Sequence, residues 1–285
     1  MPESLTTLRW IHGAADCASC TDPAFQVHRF DQNTFILRQS KCVDFEGPFL
    51  YLLFGSEKAL LVDSGAKPPA GQTLPVVETI DRIVDQWLAE RHRESIDLVV
   101  AHSHGHGDHM FGDSMFAVRP HTKVVGRGAS EVASFFGLAK WPEGSAVYEL
   151  GHRALTVLPL PGHEPAHIAI YDPDTRILLT GDTLYPGLLT VADWPAYRRS
   201  AARLAEFASK HEVSLVLGAH VEMKKTPREM YPLPCTFQPE EHALPLAARH
   251  IQELHEACEA IGDQPRRDVH DEFIIQPRNQ PARTP

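Results

Sequence analysis

The chain of 285 residues is 43% hydrophobic and carries 37 acidic against 27 basic residues, a formal net charge of −10. That length can bury one large core or two modest ones. The acidic balance argues against a nucleic-acid partner, whose binding rests on clustered Lys and Arg, and no stretch approaches the roughly 18 apolar residues of a transmembrane helix.

In chain order, the opening MPESLTTLRW has no basic region followed by an apolar one. A cytoplasmic protein with no membrane partner is therefore expected. Within an N-terminal extension, residues 1–32, Cys17-x-x-Cys20 has the spacing of a zinc knuckle or redox pair. With no second CxxC among five cysteines, ordinary reduced thiols are expected. Strands are predicted at 33–38, Phe49–Phe54 and 59–63, the last two joined by a turn at 55–58. Residues 74–91 place Val77, Ile80, Ile83, Val84 and Leu88 at a helical period, and Asp97–Ala101 reads as a buried strand. Further on, strands are expected at 123–125, 147–150, 154–158, 167–171, 176–181 and 214–220, with helices at 129–138 and 196–210. The segment 224–245 holds Pro227, Pro232, Pro234, Pro239 and Pro245, so it is a stiff surface loop and a candidate lid. Its Tyr231, Phe237 and His242 are read as pinning that loop, with lining of a substrate pocket as the alternative. A helix over 244–261, an edge strand at 269–275 and a fraying tail at 276–285 complete the prediction.

Residues 102–109 read HSHGHGDH, so His104, His106, Asp108 and His109 place four metal-competent side chains on six positions. Packing does not ask for that, whereas borderline divalent ions accept imidazole and carboxylate, and the glycines let the backbone wrap an ion. In an extended stretch His104 and His106 face one way and can share an ion. Asp108 and His109 are adjacent and diverge. With Gly107 and Asp108 opening a helix through Met115, they point toward a second ion. The strand-then-ligand pattern recurs at Asp63, His163, Asp182 and His220. His167, four residues after His163, reads as a hydrogen-bonded structural histidine. Tyr185 follows Asp182; its phenol either donates to a substrate carbonyl oxygen or packs.

This ordered set, Asp63, the HxHxDH of 104–109, His163, Asp182 and His220, resembles the five motifs of the metallo-β-lactamase superfamily over residues 35–220. The resemblance implies an α/β fold, a four-layer αββα sandwich, with a catalytic domain at 33–222 and a C-terminal loop, helix and tail at 223–285. It implies a first metal on His104, His106 and His163, a second on Asp108, His109 and His220, Asp182 bridging them, and Asp63 orienting a ligand histidine. The all-His/Asp ligation is that of the glyoxalase II-like and lactonase-like branches. Glyoxalase II enzymes carry a helical C-terminal domain with basic residues for glutathione; here one helix and no such basic cluster are found. Two divalent ions are expected, Zn2+ first and Mn2+ or Fe2+ as alternatives. The implied function is hydrolysis of a small-molecule ester, thioester or lactone by a metal-bridging hydroxide, with Asp108 steering protons. The alternatives are phosphodiester hydrolysis and a mono-iron thiol or persulfide oxygenase. The sequence does not specify the oligomeric state.

Overall fold

The computed structural model describes residues 5–278. In chain order its elements are β1 (Phe25–Arg29), β2 (Thr34–Gln39), β3 (Phe49–Phe54), β4 (Lys58–Val62), α1 (Val76–Glu90), β5 (Asp97–Ala101), α2 (Asp113–Phe116), β6 (Thr122–Val124), α3 (Ala129–Phe136), β7 (Ala146–Glu149) and β8 (Ala154–Pro159). They continue with β9 (Ile168–Asp172), β10 (Ile177–Gly181), β11 (Leu188–Val191), α4 (Trp194–Lys210), β12 (Leu215–Gly218), α5 (Arg249–Ile261), β13 (Asp268–Val269) and β14 (Ile274–Pro277). One sheet runs β1-β2-β3-β4-β5-β6, a second β12-β10-β9-β8-β7, and a small third β11-β14-β13.

Strand β3, FLYLLF, is apolar throughout because both its faces are covered. Side chains alternate: Phe49, Tyr51 and Leu53 enter the core between the two large sheets, while Leu50, Leu52 and Phe54 meet Ile80, Val84 and Trp87 of α1. On the second sheet, Ile168 and Ile170 face the central core, and Ala169 and Tyr171 join the layer containing α4 and α5. The layers are thus α1, sheet, sheet, α4 with α5, the αββα sandwich expected.

Several boundaries differ from expectation for local reasons. The segment assigned to an N-terminal extension supplies β1, which pairs antiparallel with β2. Helix α4 begins two residues early because Asp193 caps Ala196 N at 3.0 Å, and Pro195 suits a first turn. Helix α5 begins at Arg249 because Leu246 instead exchanges two 2.9 Å backbone bonds with Val216 beside β12. The predicted edge strand is two strands, β13 and β14, and β14 runs parallel to β11, which the sequence reading did not find. The tail resolves into β14 and Arg278, whose N–H donates to Val191 O, while residues 279–285 lie outside the described residues. Cys17 bonds to Cys42, their Cα atoms 5.1 Å apart, so the expectation of reduced thiols does not hold at that position; Cys20 is free. Among the described residues no helix is long and apolar enough to cross a membrane.

At the end of the sheets away from the ligand loops, Arg153 joins the two halves. Its guanidinium donates to Asp172 at 2.6 Å and, across the sandwich, to Asn33 O, Phe54 O and Thr34 Oγ1 at 2.8–3.1 Å. Both charged side chains are almost wholly buried. Arg153→Ala would strand the Asp172 carboxylate, and a loss of about 3–5 kcal/mol is expected. Urea unfolding measures it, and a change under about 1 kcal/mol would contradict this role.

Candidate metal centre

The ligand-bearing loops all leave the carboxyl ends of strands: Asp63 after β4, residues 102–109 after β5, His163 after β8, Asp182 after β10 and His220 after β12. They converge at one end of the sandwich. His104 Nε2 lies 2.8 Å from His106 Nδ1 and 3.2 Å from His163 Nε2, and His163 Nε2 is 3.0 Å from His106 Nδ1. A second set stands beside the first. His109 Nε2 is 3.1 Å and His220 Nε2 3.2 Å from Asp108 Oδ2, and the two rings are 3.4 Å apart at those nitrogens. Asp182 lies between the sets. Its Oδ2 is 3.4 Å from His163 Nε2 and 3.8 Å from His104 Nε2, while its Oδ1 is 3.6 Å from His109 Nε2 and 3.5 Å from His220 Nε2.

The backbone explains the aim of these groups. Asp63 has φ 68°, a left-handed conformation uncommon outside glycine, and this turn sends its carboxylate back under the loop. There it accepts from Ser103 N at 2.7 Å and Ser103 Oγ at 3.0 Å, and lies 2.9 Å from His109 Nδ1. Gly181, at φ 47°, leaves no room for a side chain: a Cβ there would stand 2.7 Å from Ser103 Cβ and 2.8 Å from His167 Nε2. The predicted helix opening at Gly107 does not form. Ser64 N takes the His109 carbonyl at 2.7 Å, and Phe111 N donates to Gly65 O at 3.0 Å, so the loop is tied to the end of β4 and only α2 is helical.

The residues fit metal ions. In four rings the nitrogen facing away from the cluster has its own partner: His109 Nδ1 on Asp63, His163 Nδ1 on Thr190 O at 2.7 Å, His220 Nδ1 on Glu46 O at 3.2 Å and His104 Nδ1 by Ser103 Oγ at 3.1 Å. Held so, the inward nitrogens of His104 and His163, both neutral, present lone pairs to one another, which a cation reconciles. Asp182 Oδ1 is buried with no hydrogen-bond partner, as a ligand oxygen would be. Neighbouring ligands of a tetrahedral ion with bonds of about 2.0–2.1 Å stand roughly 3.3 Å apart, close to these separations.

Electrostatics divide the sets. Burial, then the neighbouring imidazoles, push His104 well below its ordinary value; burial, then His163, push His106 down to about 4, and His163 is lowered chiefly by burial. In the second set burial works the same way but is overcome. Asp108, Asp63 and Asp182 hold His109 well above its usual range, and Asp182 and Asp108 raise His220 to about 9. For Asp108 and Asp182 burial raises the pKa, yet the surrounding histidines win and both stay ionised at neutral pH. In metal-free protein, then, the second set is protonated where the first is neutral, and an incoming ion must displace protons from His109 and His220. Divalent-ion affinity at the Asp108, His109 and His220 set should climb with pH up to about 9, and affinity at the His104, His106 and His163 set should be nearly flat above about pH 4. Calorimetric titration across that range checks this; equal slopes would contradict it.

Other predicted residues fall as follows. His167 Nε2 accepts from Asp182 N at 3.1 Å, and its ring stacks on His104 at 5.0 Å, a structural histidine that positions the Asp182 backbone. Tyr185, a candidate donor to substrate, is buried, and its hydroxyl donates to Leu188 O at 2.8 Å while its ring meets His220 edge-on. The hydroxyl also lies 3.3 Å from Glu222 Oε2. Tyr231 accepts from Glu240 N at 2.8 Å, Phe237 lies against His12 and His242 Nδ1 donates to Ala243 O, so these side chains pin their loop. The cavity beside Asp108, of about 600 Å³, is walled instead by Asp44, Phe45, Glu46, Lys67, Phe111 and Arg127. Sequence reasoning missed this wall, and also Arg278, whose Nη2 lies 3.5 Å from the outer nitrogen of His106. The one available signal was the pair of lone cations, Lys67 and Arg127, flanking the ligand motifs.

A sequence profile described as Metallo-beta-lactamase superfamily matches residues 43–220. The chain is 39% identical over 80 residues to the acyl-coenzyme A thioesterase MBLAC2 of Homo sapiens, a match covering 26% of this chain and 28% of that protein. It is 33% identical over 139 residues to a hydroxyacylglutathione hydrolase of Anaeromyxobacter dehalogenans, covering 48% and 46%. It is 30% identical over 120 residues to another of Hyphomonas neptunium, covering 42% and 45%. The chain therefore spans less than half the length of these curated relatives. The fold is similar to that of a metallo-beta-lactamase from Pontibacter korlensis, with TM-score 0.53 at 16% identity over 82% of this chain and 99% of that one. With its sandwich, its convergent strand ends and the ordered motifs inside the matched span, the chain belongs to the metallo-beta-lactamase superfamily.

Proposed function

We propose that this protein is a metal-dependent hydrolase of thioesters working through two divalent ions, zinc first among them. The observation that carries this reading is the placement of Asp182 with one oxygen toward each nitrogen set. His104, His106 and His163 would hold one ion, Asp108, His109 and His220 the other, with Asp182 common to both. Such a pair supplies a hydroxide nucleophile at neutral pH and polarises a carbonyl oxygen.

The chain's own residues do the rest. Asp63, Thr190 and Glu46 lock the ring orientations, so no reorganisation is needed at the moment of reaction. Asp108 is 22% exposed, alone among the second-set side chains in reaching the cavity appreciably, and its ionised carboxylate can take a proton and return it to the leaving thiol. Phe45 and Phe111 give the cavity an apolar wall for an acyl or thiol chain, and Lys67 and Arg127 suit anionic groups on it. The thioester class is supported by relatives named as an acyl-coenzyme A thioesterase and hydroxyacylglutathione hydrolases; among the described residues the C-terminal part has one long helix, α5.

The test is a parallel assay of zinc-loaded protein on acyl-coenzyme A, acyl-glutathione, lactone, ester and bis-phosphodiester substrates. The thioesters should give the highest kcat/KM. Higher values for the phosphodiester would overturn the substrate class while leaving the centre intact.

A further inference from the structure

A second group of ligand-type side chains lies away from this centre, where the turn between β13 and β14 meets the start of α5. His250 and Glu253 are three apart on the helix and share a face, and Glu272 comes from the turn. One nitrogen of His250 and one carboxylate oxygen of each glutamate lie within 4.8 Å of one another.

His250 is 3% exposed and its Nε2 has no hydrogen-bond partner. That nitrogen points at Glu272 Oε2 from 3.6 Å. The gap is too long for a hydrogen bond and close to the roughly 3.3 Å between two ligands of one tetrahedral ion. Nδ1 accepts from the Ala247 N–H at 2.9 Å and also lies 3.0 Å from the Ala247 carbonyl; in the tautomer that donates to that carbonyl, Nε2 is bare and free to bind an ion. The carboxylates are also held. Arg249 Nη2 is 3.4 Å from Glu272 Oε1, leaving Oε2 for the site, and His270 Nδ1 lies 2.8 Å from Glu253 Oε1. At 35% and 24% exposure, the two glutamates leave an entry path from solvent.

We propose that His250, Glu253 and Glu272 hold a further divalent ion of the zinc class, distinct from the centre at Asp182, which fastens the β13–β14 turn to α5. One nitrogen and two carboxylate oxygens form a donor set zinc accepts, and its charge offsets two carboxylates beside a buried ring. The ion would act on structure. It steadies β14, which pairs with β11, whose Thr190 carbonyl orients His163.

Wild-type protein and the Glu253→Gln/Glu272→Gln variant, both reconstituted with excess zinc and desalted, are compared by elemental analysis and by thermal melting with zinc or chelator. The variant should hold one zinc fewer per chain and lose part of the zinc-dependent rise in Tm. Equal zinc contents would overturn the proposal. Should the double variant not fold, Glu253→Gln alone carries the same comparison. Because the readout is a difference of one ion, it does not depend on how many ions the Asp182 centre holds.

Discussion

His109→Ala and His220→Ala should each lower hydrolytic turnover at least about a hundredfold, roughly 2.7 kcal/mol of lost transition-state stabilisation. Each removes a nitrogen 3.1–3.2 Å from Asp108 Oδ2 that no other side chain replaces. The first set is untouched by either change, since its nitrogens belong to His104, His106 and His163. Metal in the Asp182 centre should fall toward one ion per chain. A single-iron oxygenase of this fold would need only the first set and Asp182, so it would survive both substitutions. Stopped-flow turnover, metal content and oxygen uptake with thiol or persulfide substrates separate the two. If both variants stay active and the iron-loaded protein consumes oxygen as thiol is oxidised, the hydrolytic reading is wrong.

Asp182→Ala should be more severe, with turnover down at least about a thousandfold, or roughly 4 kcal/mol. Its two oxygens face different histidine pairs, and in the proposed two-ion centre deleting the carboxylate would remove the negative charge that offsets the repulsion between the ions. Both sites should lose metal together, in contrast to the one-site loss in the histidine variants. Full metal content and activity in the purified variant would show that Asp182 is not shared.

The divergence of these two phenotypes follows from chemistry that was legible in the chain. Four candidate ligands were legible because no packing requirement produces HxHxDH, and His163, Asp182 and His220 because each follows an apolar strand; their grouping into one ligand set came from the resemblance to the family's ordered motifs. The sandwich was legible from the alternation of strands and helices together with that resemblance. Strands such as Phe49–Phe54 are apolar on both faces, which fits only a sheet covered on both sides. What could not be read was carried by backbone groups and by distance along the chain. The carbonyls of Glu46 and Thr190 orient His220 and His163, and a carbonyl leaves no mark in sequence. Strand β11 is only four residues long and pairs with β14 more than eighty positions later, so local pattern gave it no support. The cavity wall at Asp44, Phe45 and Glu46 lies on the loop after β2, far in sequence from the ligand motifs, whereas the proline-rich loop that looked like a lid is tied down by its own side chains. Cys17 pairs with Cys42 across 25 positions, a partner that the nearer Cys20 obscured.

The most direct test is anomalous diffraction at the zinc edge from crystals of zinc-reconstituted protein. Two peaks are expected on either side of the Asp182 carboxylate, one among His104, His106 and His163 and one among Asp108, His109 and His220. A single peak there, or none, would contradict the two-ion centre.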